Sequence, residues 1–145
     1  MGRLKLPNGS LAYLDAAPII YSIEKKPKYH ALMTDIWFEV ETGNIGVVTS
    51  ELTLLETLVH PVRDDDADLI KAYEAVFRAN QMQLVPVNAD LLRFAVDFRV
   101  VQNLKTPDAI HAATATLSDC SHFVTNDPGF RRLENIDVII LSDLL

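Results

Sequence analysis

The chain has one cysteine, Cys120, in 145 residues. A lone cysteine excludes an internal disulfide, and with it the small stapled secreted scaffolds. It fits a reducing compartment, with packing as the expected role of the thiol. Long apolar runs are missing as well. None approaches the roughly 18 consecutive residues that a membrane-spanning helix needs, and residues 1–5 lack the apolar segment of a secretory signal. The expectation is a cytoplasmic protein with no membrane segment. Basic residues are outnumbered, 13 against 20 acidic ones, for a net charge of −7. That deficit removes the general polycation route to nucleic acid. Yet six of the 13 (Lys25, Lys26, Lys28, Lys105, Arg131 and Arg132) lie in sequence near the acids singled out below. Charge therefore leaves a nucleic-acid partner open. No repeat, low-complexity tract or linker divides the chain, and an apolar content of 49% excludes wholesale disorder.

What is present is an alternation of strand and helix patterns. Residues 1–10 carry turn formers and no periodicity, and read as a poorly ordered lead-in. Residues 11–15 form a strand, and Pro18 opens a short helix that Pro27 interrupts. Leu32, Met33, Ile36, Trp37 and Val40 recur at helical spacing until Gly43 and Asn44. Residues 45–48 are a strand; Thr49 and Ser50 supply capping oxygens for the next helix, which Pro61 stops. Asp64, Asp65 and Asp66 read as a solvated helix start ahead of the stripe Leu69, Ile70, Tyr73, Val76 and Phe77. Residues 84–87 form an irregular or edge strand because of Pro86. Asn88 caps a helix with Leu91, Leu92, Ala95 and Phe98 on its apolar face, and residues 138–141 make a last buried strand. Alternation of this kind predicts an α/β fold with a mostly parallel sheet covered on both faces, in one domain over residues 11–145.

Four acids stand where such a fold would bring them together. Asp15 and Asp127 each follow an apolar strand run, at the sheet edge where open α/β folds bind ligands. Glu56 lies in the helix after residue 50, and Asp108 follows Thr106 and Pro107 at a helix start. Thr106 is the expected cap, leaving Asp108 near the positive helix end. Converging carboxylates repel unless a divalent cation neutralises them, and an all-oxygen set suits Mg²⁺ or Mn²⁺. Thr125 and Asn126 can donate hydrogen bonds to a carboxylate or a phosphate. His111, three residues after Asp108, shares its helix side and reads as a packed or surface histidine. The histidines and Cys120 show no zinc-like spacing.

These fragments, 14–15, 50–56, 106–115 and 124–130, resemble the PIN-domain proteins, in particular the VapC-like toxins of type II toxin–antitoxin modules. The resemblance spans almost the whole chain, and Thr106–Ala109 with Thr125–Asp127 are its most telling parts. It implies a three-layer α/β/α sandwich, Mg²⁺- or Mn²⁺-dependent endoribonuclease activity on RNA, homodimerisation, and inhibition by a small cognate antitoxin. Matched residue by residue, Asp15, Glu56, Asp108 and Asp127 take the family's catalytic, metal-holding positions. Ala17 departs from the pattern, because many relatives carry a small polar residue there; this bears on efficiency. An inactive PIN fold that binds RNA or protein without cutting is the rival reading. A haloacid-dehalogenase-type phosphatase would need a second acid at position 17, and a phospho-receiver would need paired acids and a late lysine. Neither pattern is present.

Overall fold

The computed structural model describes residues 2–145. Five strands alternate with helices: β1 (Leu11–Leu14), α1 (Ala16–Ile23), α2 (Tyr29–Glu41), β2 (Gly46–Ser50), α3 (Glu51–Arg63), α4 (Ala67–Arg78), β3 (Met82–Val85), α5 (Ala89–Gln102), α6 (Thr106–Leu117), β4 (His122–Thr125) and β5 (Asp137–Ile140). The strands form one sheet in the order β3-β2-β1-β4-β5, and every pairing is parallel. Because successive side chains along a strand point to opposite faces, each strand feeds two cores. Leu14, Val47 and Val124 pack with α1, α2 and α4 through Ile19, Leu32, Ile36 and Tyr73. Tyr13, Val48 and Phe123 pack on the other face with α5 and α6 through Leu91, Ala95, Ala109, Ala112 and Ala113. The three-layer α/β/α arrangement expected from the alternation is the one observed.

The order of strands locates the ligand edge. β1 is central, and the chain leaves it first toward β2 and β3, later toward β4 and β5, so the direction of winding reverses beside β1. In open parallel sheets the crevice at that reversal, outside the carboxyl ends of the strands, is where ligands bind. Asp15 directly follows β1 and Asp127 follows β4 by two residues.

The structure corrects local expectations. The lead-in is packed rather than loose: Leu4 and Leu6 belong to the first core, Leu4 N–H donates to Asp35, and the Arg3 guanidinium makes two 3.1 Å bonds to the same carboxylate. Met1 lies outside the described residues. Pro61 does not stop α3, which runs to Arg63. Pro61 lacks its own N–H, yet Asp64 still donates to the His60 carbonyl; the chain turns out of the helix at Asp65, two residues past its end, where φ is 52°. Thr106 is the first residue of α6 rather than its cap, and the capping position falls to Lys105, whose side chain makes no cap bond. Leu92, assigned to an apolar face, is 45% exposed. The caps at Ser50, Asp66 and Asn88 are made as expected, each side-chain oxygen accepting a backbone N–H of the first turn.

Candidate functional site

Asp15 sits in the turn from β1 into α1, and it is buried, with 8% of its surface accessible. Its Oδ2 accepts a 2.5 Å hydrogen bond from the hydroxyl of Thr125, a fully buried residue at the end of β4. That hydroxyl also accepts from the Asp127 N–H at 3.1 Å. One threonine thereby holds the end of β1 and the start of the Asp127 turn in fixed relation. Oδ1 of Asp15 is buried and has no hydrogen-bond partner. Desolvation is the main cause that pushes its carboxyl up to about 7, helped by Glu56 and Asp108 and opposed by His111 and Thr125.

Asp108 lies in the first turn of α6, after Pro107. Partial burial raises its pKa, repulsion from Asp127 and Glu56 raises it further, and His111 and Lys105 oppose the rise. Asp127 is exposed and caps the 3₁₀ turn Pro128–Phe130, its Oδ1 accepting from Gly129 N–H at 2.8 Å. A Cβ at position 129 would come within 3.1 Å of that oxygen, so the small residue leaves the carboxylate its place. Glu56, mid-way along α3, accepts at Oε1 from His111 Nε2 at 2.6 Å. The four acids thus share one neighbourhood at the carboxyl edge, each feeling at least one other. A cavity of about 640 Å³ elsewhere, lined by Arg3, Asp35 and Phe38 among others, includes none of them.

The set fits a hard divalent cation in its chemistry. All four donors are carboxylates, and a buried carboxylate oxygen without a partner is costly unless it is protonated or meets a positive charge. Among the described residues no three acidic, histidine or cysteine side chains close on a single point. Glu56 is bonded to His111 and Asp127 to the backbone of its own turn.

Two expected roles shift. Asn126 donates to the Tyr21 hydroxyl at 3.0 Å and accepts from Ser142 N–H at 2.9 Å, so the hydrogen bonds it makes tie α1 and the C-terminal turn to β4. His111 is neither a surface residue nor simple packing: it is 2% exposed and bonded on both ring nitrogens, to Glu56 and to the Tyr13 hydroxyl at 2.5 Å. Tyr13 went unnoticed in the sequence. The available signal was its spacing, because a residue two before Asp15 on a strand shares its face.

The sequence model of the PIN domain matches residues 12–136. No curated protein sequence matches the chain. Among solved structures, VapBC2 from Rickettsia felis bound to a DNA fragment from its promoter is similar with a TM-score of 0.69 at 16% identity, over 89% of this chain and 97% of that one. A toxin–antitoxin complex from Klebsiella pneumoniae gives 0.68 at 18% identity, over 90% and 97%. VapC20 from Mycobacterium tuberculosis, a sarcin–ricin-loop-cleaving toxin, gives 0.64 at 18% identity, over 77% and 86%. Identities this low speak for the fold alone.

Proposed function

The chain belongs to the PIN-domain family, and from that premise we propose that it is a Mg²⁺- or Mn²⁺-dependent endoribonuclease, the toxin of a toxin–antitoxin pair. The observation that carries the reading is the buried, unpartnered Oδ1 of Asp15, on a carboxyl that two further carboxylates, Glu56 and Asp108, also act on. Such a cluster is unfavourable for a protein that only folds, and favourable for one that holds a cation against a phosphodiester. Structural neighbours that are toxins or toxin–antitoxin complexes support the biological setting.

In this reading Asp15, Glu56, Asp108 and Asp127 hold the metal. The bound ion supplies charge neutralisation at the phosphate and acidifies water. The rest is done by the chain. Thr125 keeps Asp15 aimed by occupying one oxygen and leaving the other free. The Pro128–Phe130 turn does the same for Asp127. Lys105, which lowers the Asp108 pKa, adds positive charge near the path of an RNA backbone. Ala17 offers no hydrogen bond to a phosphate, so substrate orientation rests on the remaining groups.

Two partners complete the proposal. A small antitoxin is one, on the strength of the neighbouring complexes. A second copy of the chain is the other: α3 presents Leu55 at 64%, Val59 at 47% and Val62 at 56% exposure along one side, an apolar row that a two-fold contact would cover. No helix among the described residues is long and apolar enough to cross a membrane, and we place the activity in the cytoplasm with its RNA.

The test is cleavage of single-stranded and structured RNAs with Mg²⁺ or Mn²⁺. Asp127→Asn and Asp108→Asn keep size and hydrogen bonding while removing one charge each. Each is expected to lower cleavage at least 100-fold, about 2.7 kcal/mol of transition-state stabilisation, with the fold intact by circular dichroism. EDTA should abolish cleavage of the unmodified protein. Because among the described residues no three acidic, histidine or cysteine side chains close on one point, the non-cutting binding module is the specific rival. RNA binding without cleavage, across varied sequences and both metals, would decide for it.

A further inference from the structure

We propose that Tyr13 and His111 are a positioning pair that holds the Glu56 carboxylate at the acidic edge, so that metal affinity depends on a hydrogen-bond chain rooted in the core. This rests on the reading of Glu56 as a metal-holding residue. The chain links three elements. Tyr13 lies on β1, fully buried and stacked on Phe123 with ring centroids 4.9 Å apart; His111 lies on α6 among buried alanines; Glu56 lies on α3. Its polarity follows from the inventory of donors. A carboxylate only accepts, so Nε2 of His111 carries the hydrogen it gives to Glu56, and Nδ1 can then accept from the Tyr13 hydroxyl. A phenol keeps its proton at neutral pH, so its O–H is available to donate.

The geometry gives this chain a task beyond filling space. A glutamate side chain has three rotatable bonds, and with its side chain 30% exposed Glu56 would sample many rotamers if nothing held it. Groups that hydrogen-bond a metal-holding side chain set its orientation and its affinity. Here the anchor is a buried histidine bonded on both nitrogens, in a helix whose residues 109–115 are all buried. Oε1 is held by the anchor; Oε2 remains for a cation.

The experiment measures Mn²⁺ affinity by titration calorimetry, with melting of the metal-free protein followed in parallel. Tyr13→Phe removes one oxygen and keeps the stacked ring. His111→Leu removes the donor to Glu56, and His111→Gln restores an N–H there. Tyr13→Phe and His111→Leu are each expected to weaken Mn²⁺ binding about 10-fold, and His111→Gln to recover part of the loss. Added to Glu56→Gln, Tyr13→Phe should cost nothing further, because its only route to the metal is through Glu56. Should His111→Leu fail to fold, Tyr13→Phe alone carries the test. If Glu56→Gln weakens Mn²⁺ binding while Tyr13→Phe and His111→Leu lower only the melting temperature, the positioning role is overturned and the metal reading stands. If Glu56→Gln leaves the affinity unchanged, or the unmodified protein binds no Mn²⁺, Glu56 is not a ligand and both readings fall.

Discussion

At the scale of single residues, the cost of this site concentrates on Asp15. Burial raises its carboxyl from an ordinary 3.8 to about 7, outweighing the help of His111 and Thr125. The folded, metal-free protein therefore holds a proton that the unfolded chain releases near pH 4. Between those values the native state binds more protons than the unfolded one, so stability falls as pH rises, and the penalty is complete above pH 7. Asp15→Asn, neutral at every pH, is expected to be more stable than the unmodified protein at pH 8 in EDTA. The gain has an upper bound of about 4 kcal/mol, from roughly three pKa units at 1.36 kcal/mol each. The advantage should vanish below pH 4. Urea denaturation at pH 4, 6 and 8 measures it, and a variant less stable than the parent at pH 8 would contradict the account. The same proton must leave when a cation binds, so Mn²⁺ affinity should rise with pH up to about 7 and level off beyond.

At the scale of elements, α3 and α6 carry the site differently. α3 is capped by the fully buried Ser50, the last residue of β2, whose hydroxyl accepts from Leu52 N–H at 3.0 Å. Thr49, one residue earlier, donates to the Leu14 carbonyl at 2.6 Å and bonds Thr53 on α3 at 2.8 Å, so the helix start is tied to the strand that delivers Asp15. Ser50→Ala should cost about 1 kcal/mol of unfolding free energy, the usual worth of a cap. Chemical denaturation checks this, and a change below about 0.3 kcal/mol would mean the cap is redundant with the Thr49 contacts. α6 is held by small side chains: Ala109, Ala112, Ala113 and Ala115 are buried and let the helix lie close to the sheet and to α5. That closeness is what brings His111 within reach of Tyr13. The caps at Ser50, Asp66 and Asn88 were legible because a cap is a local bond between a side chain and the next turn. The fate of Pro61 was not, because a helix that has lost one N–H is carried on by its neighbours.

For the whole molecule, the five-stranded sheet leaves α3 at the margin between two cores. Leu54 and Leu58 join one core and Leu52 the other, while Leu55, Val59 and Val62 remain outside. If a second copy covers that row, Leu55→Glu with Val59→Glu should yield a monomer by analytical ultracentrifugation at concentrations where the parent is a dimer. Chain stability should change by no more than about 0.5 kcal/mol, as for other exposed positions. A parent that sediments as a monomer at high micromolar concentration would remove the dimer from the proposal.

The fold class, and the places of Asp15 and Asp127 just beyond β1 and β4, were readable from the chain alone, because both are written in short-range signals. Period-2 and period-3.6 patterns mark strands and helices, and an acid at the end of an apolar run marks a strand exit. What the sequence left open depends on distance in space between residues remote in order. Leu4 and Leu6 looked like part of a loose lead-in until α2 supplied Asp35 to anchor the segment. Asn126 looked like a donor to the site, and contacts with Tyr21 and Ser142 claimed both ends of its amide. His111 and Tyr13 lie 98 residues apart, and only the packing of α6 on the sheet makes them partners. An acid's position follows from the strand it ends, whereas the direction its oxygens point follows from which distant hydroxyl or ring arrives beside it, and that is settled by packing.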